Sequence, residues 1–280
     1  MIKLGIFGDQ TTNHELLRQL NSIPEVEVAG LYFLGNVADI DDFPVFSSPI
    51  GLMDASDALL ILSDKSISND LVKLMLRKSK HIYLKSVPGL HIREIKELID
   101  LEKEAGIVTF IYNPFNYNPY FDPFSNKYEK PFLINLRTCF EGKVIKESHE
   151  MLLLVTALNR LVQSNYKKLE VFGLQNENKQ LVVSLRIEYN NGCVINLTVS
   201  QEKTAGFCEI FQTSERIQFE IQDSLYIQYP PLNQEYTSIV NFIRLIQNRD
   251  NKANSFDSLL NGVQIVHEIK EHLRFNGLDF

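Results

Sequence analysis

The sequence predicts an α/β protein in two parts: an N-terminal doubly wound parallel sheet, then a C-terminal α+β domain on a large open, mostly antiparallel sheet. Three observations predict it. The chain opens as strand, glycine turn and helix, with apolar Ile2–Phe7, a polar turn Gly8-Asp9-Gln10-Thr11-Thr12, and Leu16, Leu17 and Leu20 at helical spacing. Further apolar runs alternate with helical patterns as far as Tyr112, the pattern of a parallel sheet with right-handed crossovers. From Asn113 onward strands dominate, and Tyr189-Asn190-Asn191-Gly192-Cys193 places an Asn-Gly hairpin turn between two alternating runs.

The elements follow in order. Val26–Phe33 reads as the second strand, and Phe43–Phe46 as a short edge strand in which proline is tolerated. Ala58–Leu62 is a continuous apolar run, as expected of a strand buried on both faces. Leu71, Leu74 and Met75 mark the apolar side of a helix, and His81–Leu84 is the next strand. His91–Ala105 is an amphipathic helix stopped by Gly106, and Ile107–Tyr112 is a strand. The aromatic, proline-containing stretch Asn113–Phe121 is read as the junction, giving domains 1–118 and 119–280. Strands are then expected at Phe132–Phe140, Lys168–Leu174, Leu181–Tyr189, Cys193–Gln201, Phe207–Thr213 and Arg216–Ile221, with helices at Glu150–Val162, Gln234–Gln247 and Ser255–Phe275.

Composition narrows the function. A net charge of −7 with no basic, aromatic-interleaved cluster argues against nucleic acid as a partner. No apolar run reaches membrane-span length and no signal peptide is evident, so neither a membrane partner nor secretion is expected. Cys139, Cys193 and Cys208 are few and scattered, which points to a reducing, cytoplasmic setting and away from a cysteine metal site.

The opening turn carries the first functional question. A dinucleotide fingerprint needs glycine where the turn is tight, where backbone meets phosphate, and where helix meets strand. Gly8 supplies the first, while Gln10 and Asn13 stand at the other two, and the Asp9 carboxylate repels an anion beside them. Thr12-Asn13-His14-Glu15 also reads as a capping box, which lets the helix start close on its own side chains.

In order and spacing, Ile2–Gly8, Asp57–Ile61, Lys80–Tyr83, Ala105–Val108 and Tyr117–Phe121 resemble the glucose–fructose oxidoreductase / inositol dehydrogenase (Gfo/Idh/MocA) family. The resemblance implies a Rossmann-like domain joined to an α+β domain. It also implies NAD- or NADP-dependent oxidation of a sugar-like or polyol substrate, in a homo-oligomer formed through the open sheets. On that pattern the cofactor would lie over Gly8, Asp9, Gln10, Thr11 and Thr12, over Ser63, Asp64 and Lys65, and beside Ser86, with Lys85 or His149 handling the substrate proton.

The functional positions depart from the family's. Phe33 falls where the family has its ribose-binding acid, and Ser63–Ser68 replaces its T-P-x-x-x-H loop. The family's E-K-P motif falls on Lys85-Ser86-Val87, so Lys85 stands one residue early and on the opposite face of a regular strand. The family's catalytic histidine aligns with Leu153, and His149 lies four residues before it. Two readings stay open: an NAD(P)-dependent dehydrogenase, or a catalytically inactive relative that holds no cofactor and binds a metabolite or a protein partner. A plainer account exists for each candidate, with Lys85 capping a strand end and His149 at a helix start.

Overall fold

In the computed structural model the described residues are 1–9, 14–34, 42–63, 67–87, 91–117, 131–139, 149–175, 177, 180–201, 206–221, 231–248 and 255–278. The contacts divide the chain into two compact units, one of Met1–Tyr112 with Pro231–Leu260, the other of Asn113–Pro230 with Asn261–Phe280. The sequence placed 231–260 with the C-terminal domain; the contacts group that stretch with the N-terminal sheet.

The first unit holds five parallel strands, β1 (Ile2–Gly8), β2 (Val26–Phe33), β3 (Ala58–Ile61), β4 (His81–Leu84) and β5 (Thr109–Ile111), in the order β2-β1-β3-β4-β5. Helices α1 (His14–Asn21), α2 (Pro49–Ala55), α3 (Asn69–Arg77) and α4 (Ile92–Ala105) connect them. β1 and β3 are buried along almost their whole length, which is why both read as unbroken apolar runs. The expected edge strand is a single parallel bridge, Leu31 to Val45, held by Leu31 N–H to Pro44 O and Phe46 N–H to Leu31 O, both 2.8 Å. With that bridge beside β2, the chain runs outward from β1 on one side and returns to β3 on the other. The order therefore reverses between β1 and β3, and their carboxyl ends flank the crevice where open α/β sheets bind ligands.

Local chemistry explains the details. The pairing of β1 with β2 shifts register after Leu4, and Gly30 absorbs the extra residue at φ +154°, with the Phe46 ring where a Cβ would stand. α2 is a helix the sequence reading did not name. Its signal was Ser48-Pro49: the Ser48 hydroxyl accepts the Ile50 N–H at 3.2 Å and proline takes the first turn. α4 ends where expected, on Gly106 at φ +64°, whose N–H reaches the Glu102 carbonyl.

α6 (Pro231–Asn248; α5 follows below) covers the first sheet. Ile239, Phe242 and Ile243 join the core cluster of Leu4, Ile6, Leu60 and Tyr83, and the Tyr83 hydroxyl meets the Ser238 hydroxyl at 2.7 Å. The first turn of α7 (Phe256–Phe275) belongs to the same unit.

The second unit is a six-stranded sheet of β6 (Leu133–Cys139), β7 (Tyr166–Gln175), β8 (Leu181–Tyr189), β9 (Val194–Ser200), β10 (Gly206–Phe211) and β11 (Arg216–Ile221), ordered β11-β10-β6-β9-β8-β7. All its pairings are antiparallel except β6 with β9. One face buries Ile134, Leu136, Leu185, Ile195, Leu197 and Ile210. The other carries polar cross-strand bonds, from Asn196 Nδ2 to Asn135 Oδ1 (2.8 Å), from Asn135 Nδ2 to Glu209, and from Arg216 to Glu209. α5 (His149–Val162) is buried from Met151 to Asn159, and Asn113 Nδ2 donates to its Leu153 carbonyl at 2.8 Å. Among the described residues no helix is long and apolar enough to cross a membrane.

Candidate functional site

β1 and β3 place the site. Their ladder runs Leu4 to Ala58 through Phe7 to Ile61, and the Leu62 N–H extends it to the Phe7 carbonyl at 2.9 Å. Gly8 is the last residue of β1, and its carbonyl accepts the Leu34 N–H. One residue past β1 and two past β3 the chains meet, with the Ser63 hydroxyl donating to Asp9 Oδ2 at 2.6 Å. Asp9 is only 6% exposed and Ser63 is fully buried. A short hydrogen bond between two buried side chains holds both in place.

Of the residues singled out from the sequence, Asp9 and Ser63 thus come together beside Gly8. Gln10, Thr11, Thr12, Asp64 and Lys65 lie outside the described residues, as does Asn13. Phe33 closes β2 with its ring buried in the core cluster, so an apolar side chain occupies the position of the ribose-binding acid.

Lys85 follows β4 directly, and its N–H continues the ladder to the Ile61 carbonyl at 3.0 Å. Neither pairing of β4 shows a register shift. Regular alternation therefore puts Lys85 on the side of Tyr83, facing α6, where its Nζ lies 3.5 Å from Glu235 Oε1. Ser86 is half-buried in the bend that follows. The Tyr112 hydroxyl reaches Gln234 at 3.4 Å, so one turn of α6 meets the ends of both β4 and β5. Sequence reasoning did not connect Glu235, Gln234 or Ser238 to the strands; each reads locally as an ordinary helix residue. Lys85→Ala should lower the first unit's stability by about 1–3 kcal/mol, because it takes this cation from the Glu235 carboxylate, whose side chain is only 14% exposed. Urea unfolding checks this, and Lys85→Ala combined with Glu235→Gln should cost no more than the two single changes summed.

His149 is the half-buried first residue of α5, in the second unit, whereas Asp9, Ser63 and Lys85 belong to the first. Leu153, at the family's histidine position, is 1% exposed and offers only its carbonyl, to Asn113. Among the described residues no group of three histidine, cysteine, aspartate or glutamate side chains is placed to hold a metal ion.

A nicotinamide dinucleotide needs bare backbone and no negative charge where its pyrophosphate crosses this crevice. Phe33, an apolar ring buried in the core cluster, stands where the ribose hydroxyls need an acid, so the described end of β2 does not fit that group.

No protein-family model matches the chain, and no curated protein matches it. Solved structures do. A dehydrogenase (MviM) from Clostridium difficile is 16% identical with a TM-score of 0.77, over 97% of this chain and 99% of that one. UDP-N-acetylglucosamine 3-dehydrogenase GnnA from Acidithiobacillus ferrooxidans is 14% identical with a TM-score of 0.79, over 96% of this chain and 97% of that one. GenD2 from gentamicin A biosynthesis, solved in complex with NAD, is 10% identical with a TM-score of 0.75, over 99% of this chain and 95% of that one. The chain has the fold of the Gfo/Idh/MocA-type dehydrogenases from end to end, and the resemblance seen in the sequence holds at the level of fold.

Proposed function

We propose that this chain is a small-molecule binding protein built on a dehydrogenase fold, which takes a sugar-like or polyol ligand in the crevice between β1 and β3 without tight dinucleotide binding. The observation that carries this reading is Phe33, whose ring is buried in the core cluster at the end of β2, where a dinucleotide's ribose hydroxyls need an acid. A sugar-like or polyol ligand does not depend on that acid. GnnA, which shares the fold, is named for a sugar joined to a nucleotide, and the sugar half alone supports the sugar-like ligand class here.

The second reading, an NAD(P)-dependent oxidoreductase, draws on the near-complete coverage by dehydrogenases, one of them solved with NAD. On that reading the cofactor lies along Gly8–Thr12 and Ser63–Lys65 beside Ser86, and Lys85 or His149 takes the substrate proton. Under either reading the protein works in the cytoplasm and assembles as a homo-oligomer through the outer face of the second sheet, which light scattering would test.

Titration of the purified protein with NADH and NADPH, read by calorimetry, separates the two. We expect no binding at millimolar cofactor. Micromolar binding would sink the first reading and call for a polyol dehydrogenase screen.

A further inference from the structure

We infer that Glu102 is a proton-operated fastener for the start of α7: protonated, it holds that first turn against α4 and β5, and ionised, it lets the turn lift toward water. It does so whichever ligand the crevice takes.

The buried side of α4 is Ile95, Leu98, Ile99 and Glu102, so a carboxyl fills the last place of an apolar stripe. Three elements meet at that carboxyl. The Phe256 backbone N–H, at the first residue of α7, bonds to it, and the Thr109 hydroxyl at the start of β5 faces it. The opening N–H groups of a helix find no partner within the helix, so Glu102 supplies one from outside. Phe256 and Thr109 are both fully buried, which closes the joint to solvent. The charged groups that face the carboxyl are Asp257 on α7 and Lys103 on α4, paired with each other at 3.9 Å. Both are more than two-thirds exposed, so water weakens their opposite pulls on Glu102.

The Phe256 N–H and the Thr109 hydroxyl favour the ionised form, yet burial outweighs both, and the proton stays on to about pH 7. Past that point the charge needs water. The first turn of α7 is the part that gives. Only its residues 256–260 belong to the first unit, whereas α4 is anchored by three buried apolar side chains and β5 by its ladder to β4. α7 passes to the second unit after Leu260, so the proton sets how firmly the first unit grips the chain that leaves it.

The test is hydrogen exchange of the full chain at pH 5, 6, 7 and 8, corrected for the intrinsic pH dependence of exchange. Wild type is compared with Glu102→Gln, each checked for folding by its melting curve. In the lifted state Glu102 regains its ordinary 4.5, so each pH unit between about 5 and 7 should favour lifting about tenfold, with a plateau by pH 8. Wild-type protection over residues 256–260 should fall in that way and stay below that of the β1 and β3 amides throughout. In Glu102→Gln it should not change with pH. Glu102→Met, apolar and of similar length, serves if glutamine does not fold, and should be equally flat. A carbon-13 titration of the Glu102 carboxyl, assigned by its absence from the variant, should have its midpoint near pH 7. Four results would overturn the inference: wild-type protection that is flat with pH, a fall shared by the variants, a fall seen only in step with the β1 and β3 amides, or a carboxyl midpoint near 4.5.

Discussion

Phe242→Ala should destabilise the first unit by about 4 kcal/mol, in the range for deleting a fully buried aromatic side chain. Phe242 is 0% exposed and sits in an aromatic group with Tyr83 and Phe110, its ring centroid 5.9 and 6.3 Å from theirs. Tyr83 and Phe110 themselves stack at 5.6 Å across β4 and β5. Alanine there leaves a cavity between the helix and the sheet that neither strand can close, since both are locked into the ladder. The measurement is urea unfolding of the full chain, with the expected loss read from the midpoint at unchanged slope. Phe275→Ala, at a side chain 90% exposed, is the control and should move the midpoint by less than about 0.5 kcal/mol. A Phe242→Ala midpoint as small as the control's would mean that residues 231–248 merely rest on the first sheet and are not part of its core.

That helix also marks where the sequence stops being legible. Its own pattern gives a helix at 234–247, close to the observed Pro231–Asn248, but nothing in it says which sheet it covers. The same divide runs through the whole chain. Strand identity comes from short-range patterning, so Val26–Phe33, Leu181–Tyr189 and Arg216–Ile221 are found residue for residue where the alternation put them. The Asn-Gly turn and the Gly106 stop are equally local, because each depends on backbone torsions set within a few residues.

Pairings made through the fold are another matter. Asp9 was readable as a carboxylate beside a phosphate turn, yet its partner Ser63 lies 54 residues on and arrives only because β3 pairs with β1. Lys85 was readable as misplaced by one residue. Its engagement with Glu235 required a helix that returns to the first sheet from beyond the second. The sequence therefore flagged Asp9, while its meeting with Ser63 follows from sheet order.

Glu102→Gln should flatten the protein's stability between pH 5 and 7.5 and raise it by up to about 3 kcal/mol at pH 8. Glu102 lies on α4 one turn before Gly106 and is only 7% exposed, with no hydrogen-bond partner for Oε1 among the described residues. Burial pushes its carboxyl up from an ordinary 4.5 to about 7, with Asp257 adding to the rise and Thr109, the Phe256 backbone and Lys103 opposing it. In the folded protein the proton is therefore kept until about pH 7, whereas the unfolded chain releases it near 4.5. Across that window the folded state binds more protons, so its stability falls as pH rises, by about 1.4 kcal/mol per unit. Below about 4.5 both states are protonated and above about 7 both are ionised, so the loss is absent at the acid end and constant at the alkaline end. Glutamine has nearly the same shape and nothing to ionise.

His81 slopes the other way. Burial lowers its imidazole against the raising pull of Asp57, and its Nδ1 accepts the Val108 N–H at 2.9 Å, a bond that a proton on Nδ1 would break. Its contribution is present above the ordinary 6.5 and lost as pH falls, in wild type and variant alike. The difference between the two stability curves therefore isolates Glu102. It should be near zero at pH 4.5 and grow to its plateau by pH 8. Curves that run parallel across that range would show that Glu102 is already ionised in the fold, with a counter-charge holding it there.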